Sequence, residues 1–226
     1  MSPISPISPM IIKVCGMREA ENIREVEQLF THRSSFFTFH PSPFTPLMGF
    51  IFWLKSSRYV SERPAYLPSK CKRVGVFVDA SIEDIHQNVA DYALDYIQLH
   101  GQESPAFIQK LRSLCGDSIA IIKAFNIATA ADLAQAGPYE GIADYFLFDT
   151  KARQVGGNGT KFDWTVLADY AGETPFLLSG GIGPDDAEQV QAFHHPLLAG
   201  IDLNSRFELA PGLKDIQQLK TFIQAL

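Results

Sequence analysis

The first apolar run of this chain closes on a cysteine, Cys15, which is followed at once by Gly16. A glycine lets the backbone turn sharply, so the sulfur can face a cavity instead of a packed neighbour. Cys15 is therefore the first candidate for chemistry, although a single cysteine in a strand is more often an inert core residue.

Three further apolar runs also end in polar residues. The fourth runs into His100, the sixth ends at Asp149 and the eighth ends at Asp202. In a barrel of parallel strands, catalytic groups project from the carboxyl ends of the strands. The positions of these three residues therefore make them candidates for the same site as Cys15.

Asp149 alternates along its run with two phenylalanines, Phe146 and Phe148. Alternate residues of a strand point to opposite faces, so the phenylalanines face a helical layer and Asp149 faces the barrel interior. An inward aspartate is either catalytic or the ion-pair partner of a lysine, and Lys13 or Lys123 could be that partner. Spacing alone leaves both interpretations open.

Glycine-rich or small polar loops follow two neighbouring runs. Gly180 and Gly181 lead into a helix, and Asn204 with Ser205 follows the next run. Loops after the seventh and eighth strands of barrels commonly bind phosphate through backbone amides and a helix N-terminus. We predict phosphate binding here, the alternative being glycines that only allow a tight turn.

A third loop, 156–160, is a second cradle or a mobile lid, and its glycines favour the lid.

From residue 11 onward, short apolar runs alternate with amphipathic stretches, which is typical of a parallel sheet covered by helices. The predicted strands are 11–15, 47–52, 73–78, 96–99, 119–124, 145–149, 176–179 and 198–203. The predicted helices are 19–30, 82–90, 105–114, 128–136, 164–170, 184–193 and 213–225. The slot at 61–72 contains two prolines, Pro64 and Pro68, and is expected to form one turn at most.

Eight strands in 226 residues predict an α/β protein, a single closed (β/α)8 barrel near the small end of its usual size. The alternative is a doubly wound open sheet, although no GxGxxG fingerprint follows the first strand. Residues 1–10, rich in Ser-Pro, are expected to form a flexible leader, and residues 11–226 the barrel domain. The aromatic-rich segment 31–46 is predicted to be an insertion that packs its own phenylalanines on the barrel, the alternative being a partner-binding patch.

Composition limits the partners. The 19 basic and 25 acidic residues give a formal charge of -6, which argues against a nucleic-acid or anionic-membrane surface. The three cysteines lack the spacing of a zinc site or a disulfide framework, which fits a reducing compartment. The sequence has no run of membrane-spanning length and no signal peptide, so we expect a soluble, cytoplasmic protein that is a monomer or a homodimer.

Seven motifs occur together in barrel order. They are Lys13-Val14-Cys15-Gly16, Gly49-Phe50-Ile51-Phe52 with Lys55-Ser56-Ser57-Arg58-Tyr59, Val74-Gly75-Val76-Phe77-Val78, Gln98-Leu99-His100-Gly101, Asp149-Thr150-Lys151, Phe162-Asp163-Trp164 and Ser179-Gly180-Gly181. With them the chain resembles the phosphoribosylanthranilate isomerases of tryptophan biosynthesis. The resemblance covers residue 11 to the C-terminus apart from the aromatic insertion.

The resemblance implies a barrel that converts a small phosphosugar, N-(5-phosphoribosyl)anthranilate, into 1-(2-carboxyphenylamino)-1-deoxyribulose 5-phosphate. This Amadori rearrangement needs no metal or organic cofactor. By the match, Asp149 takes the position of the general acid and Cys15 that of the general base. Arg58 takes the position that holds the anthranilate carboxylate, and His100 and Asp202 match further substrate contacts.

A thiol acts as a base only as thiolate, so we expect the positive charge of Lys13 to lower the pKa of Cys15. Asp149 must instead keep its proton, which apolar neighbours such as Leu147 would favour. The sequence departs from the family at Arg206, where a glycine is usual, and in the order Gly-Thr-Lys at 159–161. Arg206 either adds a phosphate contact or crowds one.

Two other functions stay open. Another phosphosugar isomerase or epimerase would share the barrel. The isomerase, however, needs a carboxylate where this chain has Cys15, and the epimerase needs His and Asp metal ligands at strand ends that this chain lacks. The second is a barrel without catalysis that binds a phosphorylated ligand, with the aromatic insertion as a docking surface.

Overall fold

A closed barrel of parallel strands forms the centre of the computed structural model, which describes residues 9–31, 44–150 and 164–226. Each strand pairs with the next along the chain, and β8 pairs with β1 to close the barrel. The strands are β1 Met10–Cys15, β2 Phe44–Ile51, β3 Lys72–Phe77, β4 Tyr96–Leu99, β5 Ala120–Ile127, β6 Tyr145–Thr150, β7 Phe176–Ser179 and β8 Leu198–Leu203. The predicted (β/α)8 barrel is confirmed, and the open sheet is wrong.

The observed strands agree with the predicted ones to within a residue, except at one end of β2 and one end of β5. β2 begins earlier, at Phe44, because its first residues pair with the start of β1, where Met10 lies opposite Phe44. β5 continues to Ile127 because its last residues pair with the end of β6. Neighbouring strands thus extend both elements beyond the apolar runs that mark them in the sequence.

Helices cover the outside of the barrel. The α-helices are α1 Ala20–Thr31, α2 Ile82–Tyr92, α3 Pro105–Cys115, α4 Ala187–Ala192 and α5 Ile216–Ala225, and the 3-10 helices are Ala130–Tyr139, Trp164–Asp169, Pro184–Asp186 and Ser205–Phe207. The first two 3-10 helices lie where the sequence predicts α-helices. Pro138 lies inside the first of them, where it removes a backbone donor and disfavours a regular α-helix.

The helix predicted over 213–225 is wrong in its first turn. Leu213–Lys214 forms a short strand, β10, which pairs with β9, Glu208–Ala210, in an antiparallel hairpin after β8. α5 begins only after Asp215, whose carboxylate accepts the backbone N–H of Gln218 as an N-cap. The hairpin lies beside the carboxyl end of β8, where it can contribute side chains to a site.

Two apolar layers divide the side chains of the strands. Leu147, Leu177 and Ile122 pack with their neighbours inside the barrel. Phe146 and Phe148 are fully buried in the larger layer between the strands and the helices. The predicted alternation along β6 is therefore confirmed, and Asp149 lies on the same face as Leu147.

Within the described residues, the connection between β2 and β3 contains no helix, as Pro64 and Pro68 suggest. The Glu27 side chain of α1 holds this segment instead. Its carboxylate accepts hydrogen bonds from the Tyr66 hydroxyl and from the backbone N–H groups of residues 69–71. A buried carboxylate on α1 thus fixes a loop where other barrels place a helix.

Several expectations concern residues outside the described ranges. They are the leader up to residue 8, most of the aromatic insertion, with Phe36, Phe37 and Phe39, and the glycine-rich loop at 156–160. Thr31 is the last residue of α1, and Phe44 is the first of β2. No helix among the described residues is long and apolar enough to cross a membrane.

We expect Glu27→Ala to lower the free energy of unfolding by about 3 kcal/mol at neutral pH, because several buried donors lose a charged acceptor. Burial would raise the pKa of the Glu27 carboxyl, but its hydrogen bonds outweigh burial and lower it. The stabilisation is therefore present above the unfolded pKa of about 4.3 and is lost as the pH falls through the lower folded value.

Urea denaturation across this pH range measures the effect. The gap between Glu27→Ala and the parent should narrow below about pH 4. Glu25→Ala is the control, because Glu25 lies on the exposed face of the same helix, and we expect a change within about 0.5 kcal/mol. Equal losses in both variants would contradict the role of Glu27.

Candidate active site

A cavity of about 550 Å³ opens at the carboxyl ends of the barrel strands. All nine residues that the sequence predicts for a site line it, namely Cys15, Arg58, His100, Asp149, Gly180, Gly181, Asp202, Asn204 and Ser205. Apolar side chains of β2 and β3, among them Ile51 and Val76, complete its wall. The nine residues come from six strands and their following loops and meet at one place, as the positions of the strand ends predict.

Cys15 ends β1 and is only 3% exposed. Gly16 adopts a φ of 79°, so the sharp turn predicted after Cys15 is present. The turn is closed by two backbone hydrogen bonds of 2.9 Å, from the N–H groups of Gly16 and Met17 to the Gly49 carbonyl. A Cβ on Gly49 would lie 2.8 Å from the Cys15 sulfur, so the missing side chain leaves room for the thiol.

The charge of Lys13 is shared between two neighbours. Lys13 is fully buried, and its Nζ donates to Asp202 Oδ1 at 2.8 Å. Burial would lower the pKa of Lys13, but Asp202 and Cys15 outweigh burial and raise it. The ammonium is therefore retained inside the barrel as one half of an ion pair.

The expectation that Lys13 gives Cys15 a lowered pKa is wrong. Burial raises the pKa of the Cys15 thiol; the Lys13 charge opposes this, and the Asp202 carboxylate raises the pKa further. Because Asp202 neutralises the nearest cation, burial decides the direction. The resting side chain is a protonated thiol facing the cavity.

Asp149 contacts a histidine rather than either predicted lysine. His100 Nε2 lies 3.6 Å from Asp149 Oδ2, and the Asp149 side chain is 21% exposed. Lys13 is paired with Asp202, and Lys123 Nζ donates to Glu103 at 3.2 Å. The Asp149 carboxylate thus has a polar neighbour, His100, that the sequence does not predict.

Gln98, which the sequence places on the same face as His100, was not predicted for the site. Its side-chain Nε2 donates to His100 Nδ1 at 3.2 Å, so the ring proton of a neutral His100 lies on Nε2, toward Asp149. Gln98 lines the cavity and is buried, and its Oε1 has no hydrogen-bond partner among the described residues. The spacing of two residues from His100 was the signal in the sequence.

The loops after β7 and β8 lie side by side at the mouth. Gly180 and Gly181 both have positive φ, 94° and 71°, and a Cβ on Gly181 would meet open space. Ser205 begins a 3-10 helix, and Arg206 follows it as an exposed side chain that lines the cavity. Its guanidinium lies 3.2 Å from the position that a Cβ on Gly183 would occupy, so it reaches across to the neighbouring loop.

Arg58 is held by a carboxylate that the sequence does not reveal. Its Nε and Nη2 donate to Glu208 of β9, with the shortest distance 2.6 Å. Lys214 of β10 donates to Glu208 at 2.6 Å and to Asn204 at 3.0 Å. Burial would raise the pKa of Glu208, but hydrogen bonds from Arg58 and Lys214 lower it. The sequence predicts that Lys214 lies in a helix, so this cluster of Arg58, Glu208 and Lys214 was not predicted.

The order of the strands sets the spacing of the reactive groups. Going round the barrel from Asp149 on β6 to Cys15 on β1 passes β7 and β8 with their loops. The two groups therefore lie on either side of the glycine-rich mouth. Among the described residues no group of three or more His, Cys, Asp or Glu side chains is arranged to hold a metal ion.

Comparison with known proteins agrees with this arrangement. A profile of the N-(5'-phosphoribosyl)anthranilate (PRA) isomerase family matches residues 30–225. The N-(5'-phosphoribosyl)anthranilate isomerase of Phocaeicola vulgatus is 49% identical over 217 residues, which cover 96% of this chain and 98% of that protein.

Two solved structures share the fold. The phosphoribosyl anthranilate isomerase of Thermotoga maritima is 28% identical, with a TM-score of 0.73 and coverage of 96% of this chain and 98% of that one. A phosphoribosyl anthranilate isomerase in complex with reduced 1-(o-carboxyphenylamino)-1-deoxyribulose 5-phosphate is 26% identical, with a TM-score of 0.71 and coverage of 96% and 97%. The barrel, the cavity at its carboxyl end and these matches along nearly the whole chain show that the protein belongs to the N-(5'-phosphoribosyl)anthranilate isomerase family.

Proposed function

We propose that this protein converts N-(5-phosphoribosyl)anthranilate into 1-(2-carboxyphenylamino)-1-deoxyribulose 5-phosphate in tryptophan biosynthesis, with Asp149 as general acid and Cys15 as general base. One observation carries the proposal: both groups line a single cavity, on opposite sides of the glycine-rich mouth formed after β7 and β8. A relative of the same fold binds a reduced form of this product.

The substrate has two anionic ends, a phosphate and an aromatic carboxylate. We assign the phosphate to Gly180, Gly181, Asn204 and Ser205, residues of two neighbouring loops that line the cavity and whose backbone N–H groups would bind it. Arg58, on the loop after β2, takes the carboxylate through a charge-assisted hydrogen bond. Anchoring both ends leaves the first two carbons of the ribose between the reactive groups, which removes most of the entropic cost of reaching them.

Asp149 acts first. It donates its proton to the ring oxygen of the ribose while the nitrogen lone pair forms a double bond to carbon 1, so the ring opens to a protonated Schiff base. His100, at 3.6 Å from the carboxylate, faces the anion that this step leaves behind and stabilises it. Gln98 fixes the orientation of that ring.

Cys15 acts second. As the thiolate, which its raised pKa makes the minor form at neutral pH, it removes the proton from carbon 2, and the electron pair of that C–H bond neutralises the Schiff base to give an enolamine. The enolamine takes a proton on carbon 1 and loses one from the hydroxyl on carbon 2, which yields the ketose. One proton is donated and one is removed, so the reaction balances without a redox step.

The fluorescence of the anthranilate group gives a direct test. With substrate generated in situ, we expect the purified protein to remove that signal, and an unchanged signal would contradict the enzyme proposal and favour a barrel that only binds phosphorylated ligands. Cys15→Ser and Asp149→Asn should each lower kcat by about a hundredfold or more. If both variants stayed within about tenfold of the parent, the acid–base roles would be wrong.

Alkylation by iodoacetamide tests the protonation state of Cys15 apart from turnover. Because its pKa is raised, the thiolate fraction should rise by about tenfold per pH unit without a plateau below about pH 8.5. A variant with Cys71→Ser and Cys115→Ser leaves Cys15 as the only cysteine, and mass spectrometry follows its modification. A rate that levels off near neutral pH would show a lowered pKa and contradict the assignment.

Arg206, at the phosphate end of the cavity, should strengthen substrate binding rather than hinder it. Its side chain is exposed and already reaches the loop after β7, so it can meet a phosphate between the two loops. We expect Arg206→Gly to raise KM by about fivefold, since an exposed ion pair contributes about 1 kcal/mol, with kcat little changed. Arg206→Lys, which keeps the charge, should lose less. A lower KM in Arg206→Gly would show that Arg206 crowds the site.

We further propose that the protein works in the cytoplasm, as a monomer or a homodimer, and that the predicted leader is dispensable up to Met10, the first residue of β1. Three observations support the compartment: Cys15 and Cys71 are buried, Cys115 is partly buried, and all three are free thiols. Gel filtration of the full chain and of a variant that starts at Met10 tests the assembly and the leader together.

A further inference from the structure

Arg58 uses only one side of its guanidinium to contact Glu208. The Nε and Nη2 atoms donate to the Glu208 carboxylate, and Nη1 is left with a contact of 3.5 Å to Ser57 Oγ. The Arg58 side chain is 21% exposed and lines the cavity, whereas Glu208 is only 4% exposed. The fork of a guanidinium is planar, so fixing one edge also fixes the direction of the other.

A third charge keeps this pair from being neutral. Lys214 is fully buried, and its Nζ lies 2.6 Å from Glu208 Oε1. Burial lowers the pKa of Lys214, and Glu208 opposes this. Two cations therefore share one anion, which leaves one positive charge. Lys214 cannot reach an anion in solvent, so that charge is available at Arg58, the exposed member of the cluster.

Lys214 also contacts the loop after β8 and helix α1. Its Nζ also donates to Asn204 Oδ1 at 3.0 Å, on the loop assigned to the phosphate. Its backbone is bonded on both sides to the Asn22 side chain of α1, at 2.8 and 3.0 Å. Helix α1 thus fixes the backbone of Lys214, and the Lys214 side chain in turn holds Glu208 and Asn204.

We propose that Glu208 and Lys214 are positioning residues that direct the free edge of Arg58 toward the aromatic carboxylate and leave one net positive charge in the cluster to attract it. This rests on the proposed function. They act mainly through Arg58, so the loss that their removal causes is larger for substrates with that carboxylate. The enzyme's selectivity for a carboxylated arylamine therefore depends on a hairpin that does not itself touch the reacting carbons.

The test compares two substrates, the phosphoribosyl derivatives of anthranilate and of aniline, which lacks the carboxylate. Product formation is followed by chromatography. Lys214→Met leaves Glu208 paired with Arg58 alone, so the pair has no net charge. We expect KM for the anthranilate substrate to rise by about tenfold or more with kcat within about threefold, and KM for the aniline substrate to change by less than about twofold. Lys214→Arg, which keeps the charge, should restore most of the difference.

Glu208→Gln is a second variant, in case Lys214→Met folds poorly. It removes the charged acceptor that fixes the fork. KM for the anthranilate substrate should therefore again rise relative to KM for the aniline substrate. Combined with Arg58→Ala, neither variant should add to the loss on the anthranilate substrate, because all act through one group. Equal losses on both substrates, or additive losses in the double variants, would overturn the proposal and leave a structural role only.

Glu140→Gln is the matched control. Glu140 is also a half-buried carboxylate in a hydrogen-bond network, accepting from Tyr170 at 2.8 Å and from Thr174 at 2.6 Å, but it does not line the cavity. We expect it to lower Tm without changing the ratio of the two KM values. A parent protein inactive on both substrates would instead refute the proposed function, so the two failures are distinguishable.

Discussion

The buried ion pair between Lys13 and Asp202 joins the first and last strands of the barrel, and the cavity depends on it. The two residues lie opposite each other in the β1–β8 ladder, 2.8 Å apart and almost without exposure. A buried charge left without its partner costs about 3 to 5 kcal/mol, so the pair fixes this register strongly. Closure at this point aligns Cys15 with the loop after β8, and Ser179 adds a hydrogen bond to Asp202 at 3.3 Å.

Much of the fold and the membership of the site could be predicted because both follow from local rules. Apolar runs of strand length marked every barrel strand, and alternation placed Asp149 inward and Phe148 outward. In a parallel barrel the carboxyl ends of all strands lie at the same end. Polar residues at those ends must therefore lie close together. This is why Cys15, His100 and the other predicted residues share one cavity.

The partners of those residues could not be predicted, because they depend on contacts between distant parts of the chain. Arg58 and Glu208 are 150 residues apart in the chain, so no local sequence pattern relates them. Lys13 was a reasonable source of charge for Cys15, but its effect depends on whether an acid lies nearer than the sulfur. The hairpin was missed for a similar reason, since a strand of two residues has no periodicity of its own and forms only through its partner.

Two of the three buried lysines among the described residues, Lys13 and Lys214, differ in how their charge is used, and this difference organises the site. Lys13 has an acid to itself, so the floor of the cavity carries no net charge beside a protonated Cys15 thiol. Lys214 shares Glu208 with Arg58, so one positive charge is left at the mouth. Anionic groups are therefore attracted to the rim and have no cation to neutralise at the floor. A substrate charged at both ends and neutral at its first two carbons fits that distribution, because its reacting part can enter the neutral region while both charges stay at the mouth.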